Sequence, residues 1–176
     1  MMVFLVGISA SAQSVDTGKS ASTTLNVTIA NAYDIQIGQS TVAINMNTPS
    51  HFTSGNNSGN QIGHLIVSSS TGYEVKVAAT TELLNGAASI PVSTVLVKPE
   101  LGAYGGGGTA PTVTDLTLTN NTLAVASQKT IISKNTGESQ RGFNVDYAIS
   151  AADASAYINK TPGSYSTTVT YSLFSK

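Results

Sequence analysis

The sequence predicts an all-β fold built as a two-sheet sandwich. Apolar residues recur at every second position in one segment after another, which is the period of a strand with one buried face. These segments end at Gly, Asn, Ser or Pro, and the chain after residue 12 shows no clear helical period. The length of 176 residues fits one domain, and 40% hydrophobic residues can form a core without disulfides.

The N-terminal residues have the pattern of a secretion signal. Residues 1–8 form an apolar run, and Ala10 and Ala12 match the A-x-A pattern of a signal-peptidase site. We therefore predict a signal peptide at residues 1–12 and a secreted or cell-surface mature chain that starts at Gln13. No Lys or Arg precedes the run, so we expect the signal to begin further upstream. The alternative is that these residues form a buried N-terminal strand. A membrane anchor is not expected, because the apolar run is far shorter than the roughly 20 residues needed to span a bilayer.

Candidate strands begin at Leu25. The first alternating sets are Leu25/Val27/Ile29, Tyr33/Ile35/Ile37 and Val42/Ile44/Met46. The first two sets form either two consecutive strands or one strand that is broken at Asn31. We predict a polar loop from Thr48 to Gln61 and, after it, a hairpin that joins Leu65–Val67 to Tyr73–Val77.

The second half continues the same pattern. A strand is predicted at Ile90–Val97, ending at Pro99. A hairpin turn is predicted at Asn120-Asn121, between Leu116/Leu118 and Leu123/Val125, with Ile131-Ile132 beside it. The last predicted elements are a strand Phe143–Ile149, one helical turn in 151–156 and a final strand Tyr165–Leu173. Eight to ten short strands in one domain indicate an immunoglobulin-like two-sheet sandwich, with a closed barrel as the alternative. We expect residues 13–30 to be an extension or first strand, and residues 31–176 to be the sandwich domain.

Strand periodicity also predicts which side chains are buried. One face of each late strand should form the core, namely Tyr73, Val75, Val77, Phe143, Val145, Tyr147, Tyr165, Val169 and Leu173. Glu74, Lys76 and Asp146 lie at the intervening positions and should be exposed.

Residues that could support catalysis are sparse. The nine carboxylates form no close pair in sequence, and the two histidines, His51 and His64, have no cysteine or acidic cluster beside them. No G-x-S-x-G motif is present, and the glycine run in 104–109 leads into a predicted strand and not into the Lys-Ser/Thr and helix of a phosphate loop. We predict that the protein is not an enzyme and uses no cofactor or metal.

Charge gives no sign of a nucleic-acid partner. The formal net charge is −1, and the eight Lys and Arg residues are scattered singly, so the chain has no basic patch. The chain has no Trp, and most of its tyrosines fall on predicted core positions, so an aromatic platform for sugars is not evident. A glycan of a host or cell wall remains an alternative partner.

The two ends of the predicted mature chain together resemble a known family. An alternating segment Thr24-Leu25-Asn26-Val27-Thr28-Ile29 precedes a second strand, Tyr33 to Gly38, and the final strand begins Gly163-Ser164-Tyr165 and continues through Val169 and Tyr171 to Leu173. This order resembles the chaperone–usher pilins of Gram-negative bacteria, especially the cysteine-free alpha-type fimbrial subunits.

The resemblance implies assembly by strand addition. A pilin of this family is an immunoglobulin-like sandwich that lacks one strand, and the N-terminal extension of the next subunit fills the resulting groove. By resemblance, Leu25, Val27 and Ile29 would be the inserting residues, and Tyr165, Val169, Tyr171 and Leu173 would lie on the strand that borders the groove. The implied partners are copies of the chain or related subunits and a periplasmic chaperone.

A second resemblance concerns the same C-terminal strand. Tyr171-Ser172-Leu173 is similar to the W-x-L motif of WxL-type cell-wall-binding domains, with Tyr in the place of Trp. It supports the alternative of a self-complete secreted domain that binds cell wall or glycan. The two hypotheses differ in whether residues 23–29 complete their own sandwich or a neighbour's.

Overall fold

A computed structural model describes residues 18–103, 105, 108–120 and 128–176. The prediction of an all-β, two-sheet sandwich is confirmed. The described strands are β1 (Tyr33–Ile37), β2 (Asn56–Asn57), β3 (Gln61–Ser69), β4 (Tyr73–Ala79), β5 (Leu83–Asn85), β6 (Ala88–Ile90), β7 (Val95–Leu101), β8 (Thr112–Val113), β9 (Leu116–Thr117), β10 (Lys129–Lys134), β11 (Glu138–Ile149) and β12 (Val169–Ser175). A short helix α1 (His51–Ser54) and two 3₁₀ turns, Val92–Thr94 and Ala154–Tyr157, join them.

Two antiparallel sheets pack face to face. Within the described residues, the larger sheet has the order β1-β3-β11-β7-β9, with β2 also paired to β11, and the smaller sheet has the order β12-β4-β10-β8. The β5–β6 hairpin stands apart as a third, two-stranded sheet. The terminal strands β1 and β12 belong to different sheets but contact each other on one side of the sandwich.

The core lies between the two sheets and follows the predicted alternation. Along β4 and β11, the buried side chains are Tyr73, Val75, Val77, Phe143, Val145 and Tyr147, as predicted. The intervening Glu74, Lys76 and Asp146 were expected to be exposed but are partly covered. Glu74 pairs with Lys176, Asp146 pairs with Lys98, and the Lys76 ammonium lies over the Phe174 ring. Tyr165, Val169 and Leu173 were expected in the core but are only half-buried, because Val169 and Leu173 lie on an edge strand and Tyr165 precedes that strand.

The predicted hairpin between Leu65–Val67 and Tyr73–Val77 is wrong. Both segments are strands, but β3 pairs with β1 and β11 whereas β4 pairs with β10 and β12. The connection through Ser70-Thr71-Gly72 therefore crosses from one sheet to the other. Alternation alone cannot distinguish such a crossover from a hairpin, because both connect strands with one apolar face by a short polar turn.

Other boundaries differ from the sequence interpretation. Residues 18–32 form no strand, so the chain enters the sandwich at Tyr33, after the predicted break at Asn31. Val42, Ile44 and Met46 are half-buried at alternate positions but have no strand assignment. The polar loop contains α1 and β2, and β7 continues through Pro99 to Leu101. The predicted hairpin at Asn120-Asn121 extends into 121–127, outside the described residues.

A buried ionic cluster ties the two sheets together at one end. The Glu138 carboxylate accepts hydrogen bonds from Lys134 at 2.5 Å, from Arg141 at 2.9 Å and from the Tyr73 hydroxyl at 2.5 Å. Burial raises the pKa of Glu138, but the hydrogen bonds from Lys134, Tyr73 and Arg141 outweigh burial and hold that pKa below its usual range. Glu138 and Arg141 come from one sheet, and Tyr73 and Lys134 come from the other.

Candidate functional site

The smaller sheet ends at an edge without a partner. β12 pairs with β4 from Val169↔Ala79 to Ser175↔Tyr73, and no strand among the described residues pairs with its other side. Such an edge presents a row of backbone N–H and C=O groups to any strand that approaches it. The side chains that β12 directs inward, Val169, Tyr171 and Leu173, pack against the core but remain half-buried.

The larger sheet ends on the same side, at β1. Ile35 packs against the core, so the face of β1 that carries Tyr33, Ile35 and Ile37 is directed toward the other sheet. Nevertheless, Tyr33 is 41% exposed and Ile37 is 48% exposed. The Tyr33 hydroxyl lies within hydrogen-bonding distance of Thr71 and Ser175, which places the start of β1 beside the end of β12. We call the region between these two edge strands the open side of the sandwich.

The chain that follows β1 does not close the open side with a ladder. Val42 and Ile44 pack against the core, yet residues 40–46 make no backbone–backbone hydrogen bond with other described residues. Their alternate burial resembles that of a strand without a neighbour. Val42 and Ile44 thus cover part of the core at alternate positions, and the Asn45 carbonyl accepts a hydrogen bond from the Asn56 side chain at 2.7 Å.

The extension at residues 18–32 carries the large apolar side chains with the highest exposed fractions among the described residues. Leu25 is 85% exposed, Val27 is 76% exposed and Ile29 is 88% exposed. Residues 20–33 contain no charged residue. An uncharged segment with three apolar residues on one face, none of them covered by its own chain, has the composition of a strand that is buried by a partner.

Ala32 marks the point at which the extension joins the β1–β3 pairing. The Ala32 amide donates to the Ser70 hydroxyl at 2.9 Å, and the Ser70 amide donates to the Ala32 carbonyl at 2.9 Å. These bonds continue the β1–β3 pairing by one residue beyond Tyr33↔Ser69. Beyond Ala32, residues 18–31 form no strand and are exposed.

The sequence indicated the C-terminal strand correctly but placed its start too early. β12 begins at Val169, and Tyr165 lies before it in an irregular segment, where its hydroxyl donates to the Thr161 carbonyl at 3.1 Å. Val169, Tyr171 and Leu173 are the inward positions of the free edge strand. Of the Tyr171-Ser172-Leu173 triplet, only the central serine is directed outward, so Tyr171 and Leu173 face the interior of the sandwich.

A polar network behind β12 was not predicted. The His64 ring lies between Gln39 and Tyr147, with Nδ1 at 3.0 Å from Gln39 Oε1 and Nε2 at 2.9 Å from the Tyr147 hydroxyl. The Tyr147 hydroxyl is in turn 2.6 Å from the Tyr171 hydroxyl. Burial lowers the pKa of His64 and raises the pKa of Tyr147 to about 12. The network therefore joins the larger sheet to the inner face of β12.

His64 is buried because of an irregularity in β3 that strand alternation does not predict. Between the pairs Phe143↔Leu65 and Val145↔Gln61, β3 contains extra residues, and Gly63 adopts a φ of 63°. This bulge turns both His64 and Leu65 inward, whereas strict alternation would bury only one of them. The glycine immediately before the histidine is the signal that could have indicated it.

Among the described residues, no group of three or more His, Cys, Asp and Glu side chains is placed to hold a metal ion. Several carboxylates in this part of the chain make structural contacts, such as Asp146 with Lys98 and Ser58. Of the helices that the structure describes, none has the length and apolar character needed to cross a bilayer.

Comparison with known proteins adds no relative to this description. No protein-family model matches the chain, and no curated protein matches it.

Proposed function

We propose that this protein is an exported structural subunit, similar to a pilin, that assembles when the N-terminal extension of one copy is added as a strand to the open side of another. The observation that carries the proposal is the pairing of an uncovered apolar strand sequence with an uncovered strand edge. Leu25, Val27 and Ile29 are exposed in the extension, and β12 has a free edge with half-buried apolar side chains. The resemblance of both ends to chaperone–usher pilins supports the same assignment.

Strand parity argues against a two-residue hairpin between the extension and β1. Because Ala32 already pairs with Ser70, such a hairpin would use Ala30 and Asn31 as its turn, so Ile29 would oppose Ala32, Val27 would oppose Asp34, and Leu25 would oppose Gln36. Residues that oppose each other share one face of a sheet. The apolar side chains would then lie on the outer face of β1, away from Ile35 and the core.

Insertion into a second copy has no such restriction. A separate strand can choose the register that places Leu25, Val27 and Ile29 against the interior, with backbone hydrogen bonds to the free edge of β12. Burial of each of these side chains contributes about 1.5–3 kcal/mol. The donated strand and the accepting edge are different surfaces of one subunit. Each end of a growing assembly therefore keeps either a free extension or a free edge, and further copies add to form a filament.

Export belongs to the same proposal. The apolar run and the A-x-A pattern in residues 1–12 support secretion to the cell surface, and a periplasmic chaperone could cover the open side until a subunit arrives. The mature chain should then start at Gln13, which intact-mass determination of the native protein would check. A mature chain that retains residues 1–12 would contradict this part.

The proposal is tested by two charge-matched double substitutions in the extension. Leu25→Asp with Val27→Asp should leave the fold intact, because neither side chain packs on its own domain, but should weaken self-association at least about a hundredfold. The control, Asn26→Asp with Thr28→Asp, adds the same charge to the opposite face of the extension and should retain association. Sedimentation velocity over a concentration series measures both, and circular dichroism verifies the fold.

Two results would contradict strand addition. One is a wild-type chain that remains monomeric at high concentration. The other is a loss of folding in the Leu25→Asp, Val27→Asp variant, which would show that the strand completes its own sandwich. The self-complete domain that binds wall or glycan would then be the better explanation.

A further inference from the structure

The hydrogen bonds around His64 have one consistent direction. Gln39 Nε2 donates to the Ile62 carbonyl at 3.0 Å, which turns Gln39 Oε1 toward the imidazole. His64 Nδ1 must therefore carry the proton and donate to Gln39, which leaves Nε2 as an acceptor for the Tyr147 hydroxyl. The Tyr147 oxygen then accepts from Tyr171. Each side chain in this hydrogen-bonded series, from Tyr171 on β12 to Gln39, has a hydrogen-bond partner when His64 is neutral.

Protonation of His64 reverses the direction of the hydrogen bonds between His64, Tyr147 and Tyr171. If Nε2 becomes protonated, it can only donate to the Tyr147 oxygen, so the Tyr147 hydroxyl must turn to donate to Tyr171. The Tyr171 hydroxyl, on the inner face of β12, then loses the acceptor that it has in the neutral network. A hydroxyl donor that loses its acceptor and an imidazolium in the sandwich interior are both unfavourable.

The surroundings of the ring provide no charge to compensate. The groups placed against His64 are Gln39 from the loop after β1, Tyr147 from β11 and Tyr171 from β12, and both tyrosine rings meet the imidazole edge-on at centroid distances of 5.6 and 5.9 Å. None of these side chains is charged near neutral pH. Burial alone shifts the pKa of His64, and it shifts it downward.

We propose that His64, Tyr147 and Tyr171 form a pH-sensitive clasp that holds the free edge strand β12 in the geometry that accepts a neighbour's extension. The regulatory role rests on the proposed function, whereas the clasp itself does not. Since the pKa of His64 is lowered in the folded chain, the stability that the clasp contributes is complete above the unfolded value of about 6.5 and declines below it, and the clasp itself opens as pH falls through the lower, folded pKa. Acidification therefore releases the inner face of β12.

The clasp is tested on the whole chain by NMR. We expect the His64 ring to titrate below pH 6.5, and the amides of Val169–Ser175 to shift with the same midpoint. The same titration of a His51→Gln variant removes the other imidazole and should leave the coupled shifts unchanged. A His64 titration without any response in β12, or no titration of His64 between pH 7.5 and 5, would overturn the proposal.

A stability profile gives a second, independent readout. Between pH 7.5 and 5.5, the wild type and His51→Gln should lose up to about tenfold in the folding equilibrium, the limit set by the unfolded pKa of about 6.5, which lowers the melting temperature by at most about 5 °C. A His64→Gln variant should show a flatter profile. Equal slopes in all three proteins would contradict the clasp.

Association measured at the same two pH values separates the clasp from the function. Self-association should weaken at pH 5.5 in the wild type and in His51→Gln, and should change less in His64→Gln. If the chain does not associate at either pH, strand addition has failed, while the NMR response of β12 still decides the clasp. Association that is equally strong at both pH values, alongside a β12 response, would overturn the regulatory role.

Discussion

At the scale of single residues, Glu138 shows how a buried charge is accommodated without a ligand. Its carboxylate is almost completely buried and accepts hydrogen bonds from Lys134, Arg141 and Tyr73. Taking charges out of water costs several kcal/mol per ion, so such a cluster is tolerated only when each member is paired. Because the members come from both sheets, the cluster fixes how the sheets meet at this end of the sandwich.

Removing the carboxylate charge should therefore be costly. Glu138→Gln keeps the shape of the side chain but leaves Lys134 and Arg141 without their shared anion, and we expect a loss of about 3–5 kcal/mol in unfolding free energy. Glu74→Gln is the matched control, because its pairing with Lys176 at 3.7 Å is partly exposed and contributes about 0–1 kcal/mol. Urea unfolding at pH 7 measures both, and similar losses would show that the cluster does not stabilise the fold.

The effect of Glu138→Gln on the unfolding free energy should depend on pH. The pKa of Glu138 is lower in the folded chain than the unfolded value of about 4.3. Its contribution is therefore present above that value and is lost as pH falls through the folded pKa. The stability difference between wild type and Glu138→Gln should shrink in that acidic range.

At the scale of elements, strand periodicity predicted the buried faces better than the partners of each strand. The inward positions of β4 and β11 follow from alternation, because each strand has one face on the core. Pairing was not predictable, since the Ser70-Thr71-Gly72 turn between β3 and β4 could serve a hairpin or a crossover equally well. His64 was not predictable from alternation either, because the bulge at Gly63 changes which side chains turn inward.

Neighbouring positions in β11 provide a direct test of its register. Val145 has 0% exposure, whereas Asp146 lies on the outer face and pairs with Lys98 at 3.7 Å. Val145→Asp should unfold the domain, because an unpaired buried charge costs several kcal/mol against a total stability of about 5–15 kcal/mol. Asp146→Ala should cost about 0–1 kcal/mol. Thermal unfolding of both variants decides, and a stable Val145→Asp protein would contradict the register.

At the scale of the whole molecule, two sheets enclose one core, and the edge strands β1 and β12 contact each other on one side of the sandwich. The sequence predicted both parts of the candidate site, the alternating extension and the C-terminal strand, because each carries its own period-2 pattern. It could not predict whether they meet within one chain, since a period-2 pattern does not identify the partner of a strand. In the structure, residues 18–32 form no strand with their own domain.

The most direct test of strand addition is amide exchange in β12, measured by NMR. A variant that lacks residues 18–30 should keep its fold and expose the β12 amides that point away from β4, which are those of every second residue. A synthetic peptide of residues 23–32 should protect these amides, whereas the same peptide with Asp at the positions of Leu25 and Val27 should not. Unchanged exchange in β12, or protection confined to another surface, would contradict the central claim that one copy's extension completes another copy's sandwich.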